Sequence, residues 1–137
     1  MDTQELYSRG VAVRKQIFGA EAVDKRMGAL GEFGAPLQNM INTYGYGDIW
    51  SRPGLELQER SMITLTTLFV LGREAELRIH LRGARNLGIP RAKIEEMLIH
   101  LAHYGGWPVA ASGFRVLDEV FAAMDAEANE RSPVQKA

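Results

Sequence analysis

Cysteine is absent from all 137 residues, which removes disulfides, thiol catalysis and thiolate metal sites together. An excess of one charge is missing too. Sixteen Lys and Arg stand against 17 Asp and Glu for a net charge of -1, and they interleave rather than form the basic stripe that neutralises nucleic-acid phosphates. Nucleic acid is therefore not an expected partner. Strictly apolar runs, such as residues 68–71, reach only four or five residues, far short of the roughly 20 that span a bilayer, and MDTQELYSRG at the N-terminus lacks the apolar core of a signal peptide. No membrane partner is expected, and a soluble, cytoplasmic protein is the simplest reading. Also missing are a phosphate-cradling glycine loop, a nucleophile-elbow serine and a zinc-binding HExxH pair.

What is present reads as helix throughout. With 46% hydrophobic and 24% charged residues, the composition is that of a globular protein, and the length suits one domain with a real core. The expected architecture is all-α: a single-domain bundle of about six helices over residues 1–124, then a polar, flexible tail over 125–137. A first helix is capped at Thr3 and stopped at Gly19, with Gly10 as a weak point inside it. Residues 20–33 suggest a second helix interrupted by Gly28 and Gly31, and Pro36 suits the first turn of a third over 36–45. Residues 44–54, YGYGDIWSRPG, carry three glycines and three aromatics and read as a shaped loop, in which Trp50 is a core plug or lines a site.

The central helix, expected over residues 57–71, has Met62, Ile63, Leu65, Leu68, Phe69, Val70 and Leu71 nearly all round it. A helix apolar on every side must be buried on every side. In so short a chain, that asks for a second subunit. Gly72 then separates it from REAELRIHLRGARNLG, where Glu76 and His80, four apart, share one helical face with Arg73 and Gly83. Two readings stay open on spacing alone: a satisfied structural pair, or a site for proton transfer. A metal site from Glu76, His80, His100 and His103 is a further alternative, although no spacing fixes a ligand set. Pro90 and Arg91 open another helix ending at Gly105 and Gly106, and a last one is expected from Pro108 to Met124.

The run from GDIWSRPGLELQERS through ELRIHLRGARNLGIPRAKIEEM to HYGGWPVA closely resembles the gamma-carboxymuconolactone decarboxylases. Specificity lies in the order of its pieces, W-S-R-P-G-L, then E-R-S, E-L-R-x-H-L-R and Y-G-G-W-P, each weak by itself. The resemblance covers all but the C-terminal tail. It implies an alkylhydroperoxidase-like helical fold assembled into a homo-oligomer, a hexamer with a trimer as the smaller alternative. Relatives in that superfamily use a Cys-x-x-Cys pair before a His; here the His position is His80 and the cysteine positions hold Arg73 and Glu76. Thiol peroxidase chemistry is thereby excluded, since no thiolate exists to attack a peroxide.

The decarboxylase branch implies a cofactor-free, metal-free reaction on a small lactone carboxylate, 4-carboxymuconolactone, giving the enol-lactone of 3-oxoadipate and carbon dioxide. His80 would handle the proton with Glu76 orienting it, or the reverse. Arg60, Arg73 and Arg52 are candidates to hold substrate carboxylate or lactone oxygen, and Trp50 and Tyr104 to wall the ring. Trp107, beside Gly106, is large enough to reshape a pocket. Two alternatives remain: a decarboxylase or lyase for another small lactone or oxo acid, and a non-catalytic oligomeric binding protein.

Overall fold

A computed structural model describes residues 1–131. Among them there are seven α-helices and one π-helical segment, with no strand, so the all-helical expectation holds with more helices than the six or so anticipated. The chain groups into two compact units, Met1–Arg60 and Ser61–Ala137.

In the first unit, α1 (Thr3–Phe18) is capped one residue earlier than Thr3. Asp2 accepts from the Glu5 amide at 2.8 Å while Glu5 accepts from the Asp2 amide at 3.1 Å, a reciprocal capping box that a Thr3 cap would not allow. The expected interruption of residues 20–33 at Gly28 and Gly31 is a full break between α2 (Ala20–Gly28) and α3 (Gly31–Met40), and Pro36 lies inside α3 rather than in the first turn of a separate helix. Residues 44–54 depart furthest from expectation. What reads as a loop is, over Ile41–Ile49, a π-helix continuous with α3, closed by a Trp50 amide to Gly45 carbonyl bond of 2.9 Å.

The glycines explain the difference. Neither Gly45 nor Gly47 has positive φ, so they do not serve a turn. A Cβ on Gly47 would stand 2.1 Å from the Leu6 carbonyl oxygen, and one on Gly10 would stand 1.6 Å from that of Asn42. Both glycines let α1 and the π-helix touch backbone to backbone. Arg9 reinforces the contact by donating Nε and Nη2 to the Gly47 carbonyl, at 2.8 and 2.6 Å. Around it Ile17, Phe18, Val23 and Tyr46 are buried. Buried Arg14 donates to Gln38 Oε1 at 2.8 Å and Asn42 Oδ1 at 3.0 Å, and lies over the Tyr46 ring. Burial pushes the Arg14 guanidinium down and the Tyr46 phenol up from their ordinary pKa values.

The second unit packs the rest of α4 (Leu57–Leu71) with α5 (Glu74–Asn86), α6 (Arg91–Gly105) and α7 (Trp107–Arg131). Leu65, Leu81, Ile94, Leu98 and Leu117 form the fully buried centre, with Phe69, Leu77, Val120 and Phe121 around them. The turns after α4 and α5 are Schellman caps. At Gly72, φ 67°, the Arg73 amide reaches the Leu68 carbonyl; at Gly88, φ 84°, the Ile89 amide reaches that of Ala84. Gly113 admits α6 and α4, since a Cβ there would stand 2.4 Å from Leu98 Cδ2 and 3.0 Å from Phe69 Cδ1.

Helix α7 continues seven residues beyond the anticipated end at Met124. Arg82 grips Glu127 with two hydrogen bonds of 2.9 and 2.8 Å, and Arg85 pairs with Asp125. These pairs hold residues 125–131 to α5. The remainder of the expected tail, residues 132–137, lies outside the described residues.

Candidate functional site

Helix α5 places the central candidates. Its buried stripe of Leu77, Leu81 and Ala84 turns the neighbouring face, carrying Arg73, Glu76 and His80, to the half-exposed surface. Arg73 stands at the N-cap of α5 with φ -85° and ψ 74°. From there its Nη2 donates to Glu76 Oε1 at 2.6 Å. That hydrogen bond is the main cause holding the Glu76 carboxyl below its ordinary pKa; its own amide adds to it, as does the charge of His80. Glu76 sits in the first turn of the helix, where the dipole also favours a negative charge. The result is an ionised carboxylate, fixed at one side by Arg73, with an imidazole one turn further on. Such a pair can orient an imidazole and stabilise its protonated form.

The family resemblance implies Arg73 as a grip on substrate, and in the structure it bonds to Glu76. That engagement follows from i, i+3 spacing, so the sequence contained it. The other two arginines are placed by the segment before α4. Arg60 donates Nη2 to the Arg52 carbonyl at 2.9 Å, which ties the first turn of α4 to the preceding turn. Arg52 itself is exposed. Trp50, at the end of the π-helix, stacks on Tyr46 with centroids 5.6 Å apart and planes at 28°, while Ser51 Oγ closes the turn by donating to the Tyr46 carbonyl at 2.6 Å. Trp50 is half-buried, so it braces the π-helix and keeps one part of its ring accessible.

Tyr104, near the end of α6, is 75% exposed and joins the rings of two histidines that the sequence offers only as part of an alternative metal site. His100 and His103 stand 5.2 and 5.0 Å from it, tilted and edge-on. His100 also lines a groove of about 480 Å³ between α4 and α6 with Met62, Thr66, Lys93 and Glu96. Among the described residues no three His, Asp or Glu side chains come together as a metal site requires, so Glu76, His80, His100 and His103 do not make a ligand set. Trp107 is exposed at the start of α7. No described helix is long and apolar enough to cross a membrane.

Comparison with known proteins carries the chemistry further. Residues 35–119 match the model of the carboxymuconolactone decarboxylase family. The 4-carboxymuconolactone decarboxylase of Acinetobacter baylyi is 36% identical over 121 residues, covering 88% of this chain and 90% of its own. A nitrosuccinic acid decarboxylase of Metarhizium robertsii is 36% identical over 107 residues, 77% of this chain and 73% of its own. An uncharacterized 15.0 kDa protein of Paracoccus denitrificans is 29% identical over 84 residues, 60% of this chain and 63% of its own. Two relatives that are decarboxylases place the protein among the carboxy-lyases. The chain belongs to the carboxymuconolactone decarboxylase family.

Proposed function

We propose that this protein decarboxylates 4-carboxymuconolactone to the enol-lactone of 3-oxoadipate, without a cofactor, in the protocatechuate branch of aromatic catabolism in the cytoplasm. The observation that carries the mechanism is the Arg73–Glu76 bond of 2.6 Å beside His80. As the carbon–carbon bond to the leaving carboxylate breaks, its electron pair passes through the ring double bond to the lactone carbonyl, giving a dienolate and carbon dioxide. A proton must then reach the carbon beside that carbonyl. Glu76, held as a carboxylate, is the poorer donor. His80 is therefore the proton carrier, and Glu76 the group that orients it and favours its protonated form.

Arg60 and Arg52 are assigned to the spectator carboxylate and the growing charge on the lactone oxygen, and Arg73 to Glu76 first. Trp50 and Tyr104 are assigned to the walls around the ring. The departing carboxylate must not be gripped, since binding it tightly would stabilise the ground state more than the transition state. The assembly is a homo-hexamer, or a trimer as the smaller ring. Its support is α4: Ser61, Leu65 and Phe69 are buried along one stripe, while Ile63, Val70 and Leu71 are exposed on the other side.

A second reading has its own observation. The relative named a nitrosuccinic acid decarboxylase is equally identical at 36%, and a nitro group accepts an electron pair as a nitronate, as the unsaturated lactone does as a dienolate. What unites the two is a small acid that carries its own electron sink. Following ultraviolet absorbance with enzymatically made 4-carboxymuconolactone, and product formation with nitrosuccinic acid, separates them. His80→Ala should lower the decarboxylation rate by about 10²–10⁴-fold, the usual worth of a positioned acid or base, and Glu76→Gln by less. Wild-type rates in both folded variants would overturn the assignment.

A further inference from the structure

The first unit carries a continuous apolar stripe. Leu30, Phe33, Leu37, Met40 and Tyr44 follow one another at steps of three, four, three and four residues from the start of α3 into the π-helix. All five are exposed, Phe33 at 89% and the others between 50% and 57%. At about 100° per residue Phe33, Leu37 and Met40 of α3 fall within an arc of about 60°; with Leu30 at the N-cap and Tyr44 in the π-helix they keep the three-and-four spacing of a coiled-coil seam. In the π-helical part of the run Asn42, Thr43, Tyr46 and Gly47 are buried, and in α3 Gly34 is buried beside Leu30. The run is thus anchored through its π-helical end, with the apolar stripe in water.

We propose that this stripe is a docking surface for the same stripe of a second copy of the chain, packed as an isologous helix pair centred on Leu37. Size supports that occupant. One aromatic side chain alone carries about 150–250 Å², so five side chains at these exposures leave on the order of 500 Å² of apolar surface in water. That is at the upper end of what monomers show, about 300–600 Å². Two copies face to face remove about 1,000 Å², the threshold for a specific interface.

Charge supports it as well. Between Arg26 and Arg52 the sequence contains no Lys or Arg, and only Glu32 and Asp48 as acids. A membrane surface or an acidic partner would call for basic flanks. A second copy has no like-charged cluster to bring near this one, and it supplies a stripe of the same period.

This inference rests on the oligomeric part of the function proposed above and not on its chemistry. Two measurements test it on the full-length protein. Phe33→Glu with Leu37→Glu, at positions that the chain itself leaves exposed, should retain the far-ultraviolet helix signal and lower the mass found by light scattering. Leu37→Cys introduces the single thiol of a cysteine-free chain. In an isologous pair the central residue meets its own copy, so mild oxidation should give a covalent dimer, whereas Ala126→Cys on α7 should not. An oligomeric parent whose mass is unchanged by the double substitution, or a Leu37→Cys protein that yields no covalent dimer, overturns the seam and leaves the oligomer standing. A monomeric parent overturns both.

Discussion

Gly10 and Gly47 are the positions where one methyl group matters most. A Cβ on Gly10 would meet the Asn42 carbonyl oxygen at 1.6 Å and the Gly47 amide nitrogen at 2.8 Å, and backbone cannot step aside as the tip of a side chain can. Gly10→Ala should therefore cost about 3 kcal/mol, the upper part of the range for overpacking, read as a lower urea midpoint. A Cβ on Gly28 would meet nothing within 4 Å; Gly28→Ala should be neutral or gain about 0.5 kcal/mol through the unfolded chain. Equal behaviour of the two would contradict the backbone-contact account. At the candidate site the decisive bond is Arg73 to Glu76. Because it depresses the Glu76 carboxyl, the preference for the ionised form is present above the ordinary carboxylate pKa and lost only as pH falls through the depressed one. Arg73→Met removes the main cause of that depression. The acidic limb of the kcat/KM profile should then move towards higher pH, and a limb that stays in place would show that Glu76 is not the group it reports.

Elements differ in how far their causes are local, and that decides how much of each could be read from sequence. The ends of α4 and α5 were legible because Gly72 and Gly88 sit in left-handed conformations that a sequence can announce. The π-helix was not: glycine serves equally for a turn or for close backbone approach, and only the contact with α1 tells which applies at Gly47. If the Arg9 bonds to the Gly47 carbonyl brace that segment, Arg9→Met should cost about 1 kcal/mol, the net worth of one partly exposed hydrogen-bonded contact. It should also speed amide exchange around Gly45 and Trp50. The end of α7 was illegible for a related reason, since Arg82 and Glu127 lie 45 residues apart. Those pairs are about a third or more exposed, so ending the chain after Met124 should lower stability by only about 1 kcal/mol, and less at high salt. The Glu76–His80 pair was visible from its i, i+4 spacing. The partner of Arg73 was not settled, since spacing allows that arginine either a ligand or Glu76, and only its position at the N-cap of α5 shows the bond to Glu76.

For the whole molecule, the question is what covers the second side of α4. Ser61, Leu65 and Phe69 are buried on one stripe; Ile63, Thr67, Val70 and Leu71 make another, exposed one. At about 100° per residue the centres of the two stripes are roughly opposite. Thr66 and Thr67 return their hydroxyls to the Met62 and Ile63 carbonyls at 2.9 and 3.0 Å, so their hydrogen-bonding groups are already engaged and Thr67 adds a methyl to the exposed stripe. Ending this helix in water would leave its apolar surface unburied at roughly 25 cal/mol per Å². Burial by further copies makes stability a function of protein concentration, because association favours only the folded chain. The thermal midpoint should therefore rise as the protein is concentrated from roughly 1 to 100 μM. Ile63→Glu should lower that midpoint and flatten its concentration dependence while leaving the helical content of the dilute chain unchanged. A parent midpoint that does not move with concentration would mean that this side of α4 is solvated.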